Sequence, residues 1–418
     1  MRGTLGVDEA PSRLRGVRLP GREGTWDVVL SGGRVAQVEP SGEPPGEPRE
    51  RAARPAAEPG PEGPGPRLLC LPAFREPHLH ADRAYLRSPR PPSDFADALR
   101  MTVELRREVP AADVARRARR VLERAAAHGA VHVRTHVDVD DVVEERSLEG
   151  VLAAREELRD RLEVEVVAFA TSRNDPARPD ARARLAEALD RGADLLGGAV
   201  HLYPDPRAAT EALLDLAAER GVAVDVHVDE ALDAPTLWVG QVARAAVERG
   251  LAGRLTVSHA CLLSTRPQPE ATAAIEALLA ARATVVILPA TNLYLQDRGP
   301  GTPRRRGLTL VRELLAAGVP VRFGSDNVGD AFFPFGDADP LEAAFLAALA
   351  AHLDDEGQLL AGIAGGASEV RPGMEADLVL LPAASVTEAL AVRPAPRTVL
   401  RKGAVVAAPV ADSGAGRP

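Results

Sequence analysis

Two histidines one residue apart, His78 and His80, lie in the stretch Phe74-Arg75-Glu76-Pro77-His78-Leu79-His80-Ala81-Asp82. An apolar run over 68–71 leads into it. On an extended strand, residues i and i+2 point to the same side, so both imidazoles can aim at one point, and neutral imidazole is the commonest metal-binding side chain. The pair alone says little. Its meaning comes from three later stretches: Val226-His227-Val228-Asp229-Glu230, Val257-Ser258-His259 and Phe323-Gly324-Ser325-Asp326. Each ends a short β-rich run with residue types that bind metals or move protons.

Three neutral nitrogens and one carboxylate suit a single divalent ion such as Zn2+ or Fe2+, with a position left for water. Such an ion lowers the pKa of bound water from about 15.7 to about 7, which provides hydroxide at neutral pH. A second carboxylate must then carry protons between that water, the substrate and the leaving group. Glu230, three residues beyond His227, can reach the pocket without being a ligand. His259 can hydrogen-bond the attacking hydroxide and stabilise the tetrahedral intermediate. His132 and His136 share a strand face, and only His136 lies near the strand end, which makes it a candidate for the pocket wall. His128, His201 and His352 read as structural histidines.

These residues need a scaffold that brings several strand ends together. Short β-branched runs over 69–74, 131–137, 164–170, 195–202, 222–228, 255–257, 284–288 and 319–323 alternate with stretches of helical period over 111–127, 145–161, 181–191, 208–220, 237–249, 268–281 and 308–317. Eight strands in strict alternation with helices predict a parallel (β/α)8 TIM barrel, whose chemistry sits at the C-terminal strand ends. A doubly wound open sheet is the alternative, but no glycine-rich phosphate loop follows any strand. Both termini carry further strand pieces too small for a core of their own, so a small β-sandwich built from both ends is expected. The domains are then 1–70 for the N-terminal part of the sandwich, 71–365 for the barrel, and 366–418 for the C-terminal part and tail. Residues 40–67, rich in Pro, Gly, Glu and Arg, read as a flexible surface loop.

Composition narrows the function. The chain of 418 residues carries a formal charge of −9 and no long basic stripe, which argues against nucleic acid as partner. No apolar run approaches the roughly 18 residues of a membrane span, and Cys70 and Cys261 are too few for a disulfide framework, so a cytoplasmic location is expected. The expected partner is a small molecule, with a homo-oligomer left open. Lys402 is the only lysine, and it lies outside the barrel stretches. A two-metal centre bridged by a carbamylated lysine on the fourth strand is thereby excluded.

The chain resembles the amidohydrolase superfamily and, within it, the cytosine deaminase-like metal-dependent hydrolases. The resemblance is carried by Glu76-Pro77-His78-Leu79-His80-Ala81-Asp82-Arg83-Ala84-Tyr85-Leu86, Val133-Arg134-Thr135-His136-Val137-Asp138, Asp225-Val226-His227-Val228-Asp229-Glu230, Ser258-His259 and Phe323-Gly324-Ser325-Asp326. Leu293-Tyr294-Leu295-Gln296 and Arg305-Arg306-Gly307 also fit, and coverage runs from about Trp26 to Val406. The resemblance implies metal ligands His78, His80, His227 and Asp326, with Asp326 also a base. It implies Glu230 as proton shuttle and His259 as the group orienting the hydroxide. The family also carries the terminal β-sandwich.

The departures fall where the substrate would bind. Cytosine deaminases resemble Val167-Ala168-Phe169 but continue with Pro-Gln, where this chain has Ala170-Thr171. Threonine cannot make the paired donor–acceptor contact of a glutamine. Asn327 stands where those enzymes have a second aspartate, and Phe332 where they have tryptophan. Thr171, Asn327, Phe332 and His136 are therefore the candidate substrate contacts. The expected activity is hydrolytic deamination of an amino-substituted nitrogen heterocycle other than cytosine, with release of ammonia. Hydrolysis of a cyclic amide or substituted amine is the second reading, and a non-catalytic metal-binding barrel the third.

Overall fold

A computed structural model describes residues 11–42, 68–298, 302 and 304–408. Residues 43–67, nearly all of the expected surface loop, lie outside the described residues. Strands β1 (Arg13–Val17), β2 (Trp26–Ser31) and β3 (Arg34–Pro40) form an antiparallel sheet. Its β2–β3 hairpin turns through Gly32 and Gly33, both at positive φ, where a side chain would be strained. Strand β4 (Leu69–Pro72) does not belong to the barrel. It pairs antiparallel with β13 (Leu378–Leu381), in a sheet completed by β14 (Thr398–Arg401) and β15 (Ala404–Ala407). The expectation of one strand over 69–74 is therefore corrected. The apolar run serves the small sheet, and the barrel strand starts afresh at Phe74.

The eight barrel strands are β5 (Phe74–Leu79), β6 (Ala130–Val139), β7 (Glu163–Ala170), β8 (Leu195–Ala199), β9 (Val224–Val228), β10 (Leu255–His259), β11 (Thr284–Ile287) and β12 (Val321–Phe323). They pair in parallel in sequence order, and a bridge between Leu79 and Asp326 joins the last strand end to the first. This is the predicted TIM barrel beside a small sheet domain. The open doubly wound sheet is set aside, because its two edge strands would not meet.

Helices pack outside the strands because their apolar positions recur at helical spacing. In Ala111–Ala127, Val114, Ala118, Val121, Leu122 and Ala125 are buried against the barrel, and burying each of the larger ones contributes roughly 1.5–3 kcal/mol. The helix after β8, Pro206–Arg220, is capped by Asp205 and ends on Gly221 at φ 68°. A second core joins Leu14, Val28, Val35, Cys70, Leu378, Leu400 and Val405 between the two small sheets. The sequence pattern gave no sign of the helix Phe95–Arg106, which follows the first barrel strand. Among the described residues no helix is long and apolar enough to cross a membrane.

Candidate metal centre and active site

Strand register brings the chemistry together. In the sheet, Ser258 lies beside His227 and His259 beside Val228, while β5 and the end of β12 meet at Leu79 and Asp326. His259 and Asp326 leave their strands at φ 69° and 62°, a left-handed conformation costly for residues with a Cβ. The conformation of Asp326 is held by its own backbone: its N–H donates to His78 O at 2.9 Å and its carbonyl accepts from His80 N at 3.3 Å. Gly324, just before it, packs so closely that an added Cβ would lie 2.9 Å from Glu76 Oε1 and 3.2 Å from His78 Cβ.

The side chains fall into three overlapping groups. Ligand atoms of His78, His136 and His227 all lie within 4.8 Å of one another, as do those of His78, His259 and Asp326, and those of His227, Glu230 and His259. Asp326 Oδ1 lies 3.4 Å from His80 Nε2 and 3.6 Å from His78 Nε2. Nε2 of His78, His80, His227 and His259 and Oδ2 of Asp326 are buried without a hydrogen-bond partner. Buried polar atoms are almost always paired, so this group of orphans fits a cation. Burial, then the neighbouring histidines, holds His78 and His227 well below the usual imidazole range. His80 is lowered in the same way, by burial first and then by Arg83. Metal binding requires that neutral form.

Supporting contacts fix the ring orientations. Ser258 Oγ lies 2.9 Å from His78 Nδ1 and donates to Asp225 Oδ1 at 3.3 Å, which leaves Nε2 of His78 facing the cluster. Asp225 also meets His136 Nε2 at 3.2 Å and accepts from Arg134 at 2.8 Å. Burial would push the Asp225 carboxyl up, but His136 and Arg134 outweigh it and hold it below the usual range. Asn292 Nδ2 donates to His259 Nδ1 at 3.0 Å, which leaves Nε2 as the nitrogen carrying the proton. Asn292, Ser258 and Asp225 had no role from sequence, because each acts only through a residue distant along the chain.

Glu230 lies beside the cluster, with Oε1 3.8 Å from His259 Nδ1 and Oε2 3.9 Å from His201 Nε2. Its backbone carbonyl accepts from Gln296 Nε2 at 2.8 Å, which fixes the turn that carries it. Burial, reinforced by the Asp326 charge, raises its pKa well above the ordinary carboxylate value. A carboxyl group held this way is suited to taking and giving a proton.

The candidate substrate contacts are placed differently from one another. His136 is fully buried and stacked on His78, centroids 4.0 Å apart, within the cluster itself rather than on an open wall. The Thr171 hydroxyl donates to Asp140 Oδ2 at 2.8 Å, and Asn327 Nδ2 donates to Asp330 Oδ2 at 2.7 Å. Both polar ends are thus already engaged. Phe332 lies near the ring of Phe95, centroids 6.0 Å apart, with the Arg83 guanidinium over its ring at 4.9 Å. His201, read from sequence as structural, stands instead next to Glu230.

Residues 142–407 match the family described as "Amidohydrolase family". The chain belongs to the amidohydrolase family. It is 35% identical over 354 residues to pterin deaminase of Rhizobium rhizogenes, covering 81% of this chain and 80% of that protein. It is 26% identical over 347 residues to N-isopropylammelide isopropyl amidohydrolase of a Pseudomonas species, covering 80% and 78%. Among solved structures, 5-methylcytosine deaminase of Klebsiella pneumoniae liganded with 5-fluorocytosine aligns with a TM-score of 0.82 at 25% identity, over 96% of this chain and 98% of that one. This amidohydrolase is a hydrolase of carbon–nitrogen bonds other than peptide bonds, and a metal-dependent deaminase of a nitrogen heterocycle.

Proposed function

We propose that this amidohydrolase removes the exocyclic amine of a pterin-type bicyclic heterocycle by hydrolysis at a single divalent metal ion, Zn2+ or Fe2+. His78, His80, His227 and Asp326 would hold the ion, whose contribution is an activated water at neutral pH. The observation that carries the reading is the placement of Glu230, buried beside this set yet outside it, between His259 and His201. Glu230 takes a proton from the attacking water and returns one to the departing nitrogen. His259, with its proton on Nε2, donates to the oxygen as charge develops there. Water adds at the amine-bearing carbon, the carbon–nitrogen bond breaks, and ammonia leaves as the oxo product forms.

Pterin is favoured over a pyrimidine by two facts. The relative named for pterin shares 35% identity, and Thr171 and Asn327, at two of the positions where cytosine deaminases read the base, have their polar ends bound to Asp140 and Asp330. A second reading, release of an alkylamine from a substituted ring, is supported by the N-isopropylammelide relative. The test is product analysis with metal-loaded protein on pterin, cytosine and N-isopropylammelide. Ammonia from pterin is expected. Isopropylamine release with no ammonia from either amino heterocycle would overturn the deaminase reading.

A further inference from the structure

His201 carries a buried imidazole that the folded chain leaves under-paired. It lies in the short 3-10 turn Val200–Leu202 that follows β8. Its side chain is only 5% exposed, and neither ring nitrogen has a partner of hydrogen-bond geometry. The nearest polar groups are Glu230 Oε2, 3.9 Å from Nε2, and the backbone of His227. The ring nitrogen that the His227 backbone does not meet is left bare. Buried polar groups are almost always paired, so a bare imidazole nitrogen here points to a partner that arrives from outside the chain.

The chain holds His201 firmly in that position. Gly197 and Gly198 allow β8 to pass where side chains could not: an added Cβ on Gly197 would lie 2.3 Å from Asp225 O, and one on Gly198 2.5 Å from Tyr203 Oη. Tyr203 then donates to Ala170 O at 2.6 Å and pins the far side of the turn. The imidazole lies between Glu230, 3.9 Å from Nε2, and Phe95, whose ring centroid is 6.3 Å away, and Phe95 leads on to Phe332 at 6.0 Å. His201 therefore stands on the flank of the mouth that carries the aromatic side chains, across Glu230 from His259.

We infer that His201 is a specificity-determining substrate contact: its imidazole hydrogen-bonds a polar atom on the rim of the heterocycle, on the Glu230 flank, while Phe95 and Phe332 border the ring. A neutral imidazole offers one donor and one acceptor, which suits a ring amide or a ring nitrogen. The inference rests on the deaminase reading above.

Binding and turnover separate this role from a structural one. The Glu230→Gln variant, blocked in proton transfer, serves as the binding background, with pterin as the probe in a fluorescence titration. His201→Ala added to it should weaken pterin binding at least tenfold, His201→Asn should recover part of the loss, and metal content should not change. In the otherwise wild-type enzyme, His201→Ala should raise KM more than it lowers kcat. A Kd within twofold of the background, or a loss confined to kcat, would overturn the contact and leave His201 as at most a support for Glu230. If the unsubstituted enzyme releases no ammonia from any amino heterocycle, the deaminase reading falls. Ammonia release with an unchanged Kd overturns only the role of His201.

Discussion

Ser258 Oγ stands 2.9 Å from Nδ1 of His78, although the two are 180 residues apart in the chain. The same hydroxyl donates to Asp225, so one serine couples a candidate metal ligand to a buried carboxylate that also meets His136 and Arg134. Partners of this kind fix the ring orientation of a ligand, and their loss costs about 10–100-fold in metal affinity. Ser258→Ala should weaken metal binding by that order while leaving the fold intact. Competition with a chelator of known affinity measures it. Unchanged affinity would mean that His78 is held well enough by its strand alone.

Glu230 is the group whose removal should separate chemistry from binding. Glu230→Gln keeps the shape and the backbone bond to Gln296 but cannot accept a proton. Positioned proton transfer contributes about 10²–10⁴-fold, so kcat should fall by that order with metal content unchanged. Full turnover in this variant would sink the assignment of Glu230 as shuttle.

The strand–helix alternation made the barrel legible, because the two periodicities differ and parallel strands bury both faces. That His78, His80, His227, His259 and Asp326 would meet was legible for a related reason: side chains at barrel strand ends gather at one mouth, and strand ends can be read. The assignment of the run over 69–72 was not legible, since an apolar run does not say which sheet it joins. The helix Phe95–Arg106 was not legible either, because polar and charged residues break its apolar stripe. His201 was missed because its interest lies in what it lacks, a partner, and that is a property of the folded neighbourhood. Thr171 shows the converse. Its sequence position pointed to the substrate, while its hydroxyl is bound to Asp140.

Lys402, the sole lysine, is exposed in the turn before β15, far in the chain from any barrel strand end, so no carbamate can bridge two ions. Stripping the protein with a chelator should abolish activity, and Zn2+ or Fe2+ should restore it at one equivalent per chain. His227→Ala should not reload. Two tightly held ions per chain, measured by elemental analysis, would refute the single-metal centre.

Arg397 gives a prediction about stability rather than chemistry. It lies just before β14 of the small sheet, yet its guanidinium bonds Asp339 twice, at 2.7 Å each, and donates to His128 O of the barrel. Arg397 is 2% exposed and Asp339 7%. Removing one member of a buried pair leaves an uncompensated charge and costs about 3–5 kcal/mol. Arg397→Met should destabilise the protein by that amount in urea unfolding. Adding Asp339→Asn should recover part of the loss, because the stranded charge is gone while asparagine still caps the helix Pro340–Ala351 through the position that now accepts from Leu341 N. If the double variant is no more stable than Arg397→Met alone, the cost lies in lost packing and in the bond to His128, not in the buried charge.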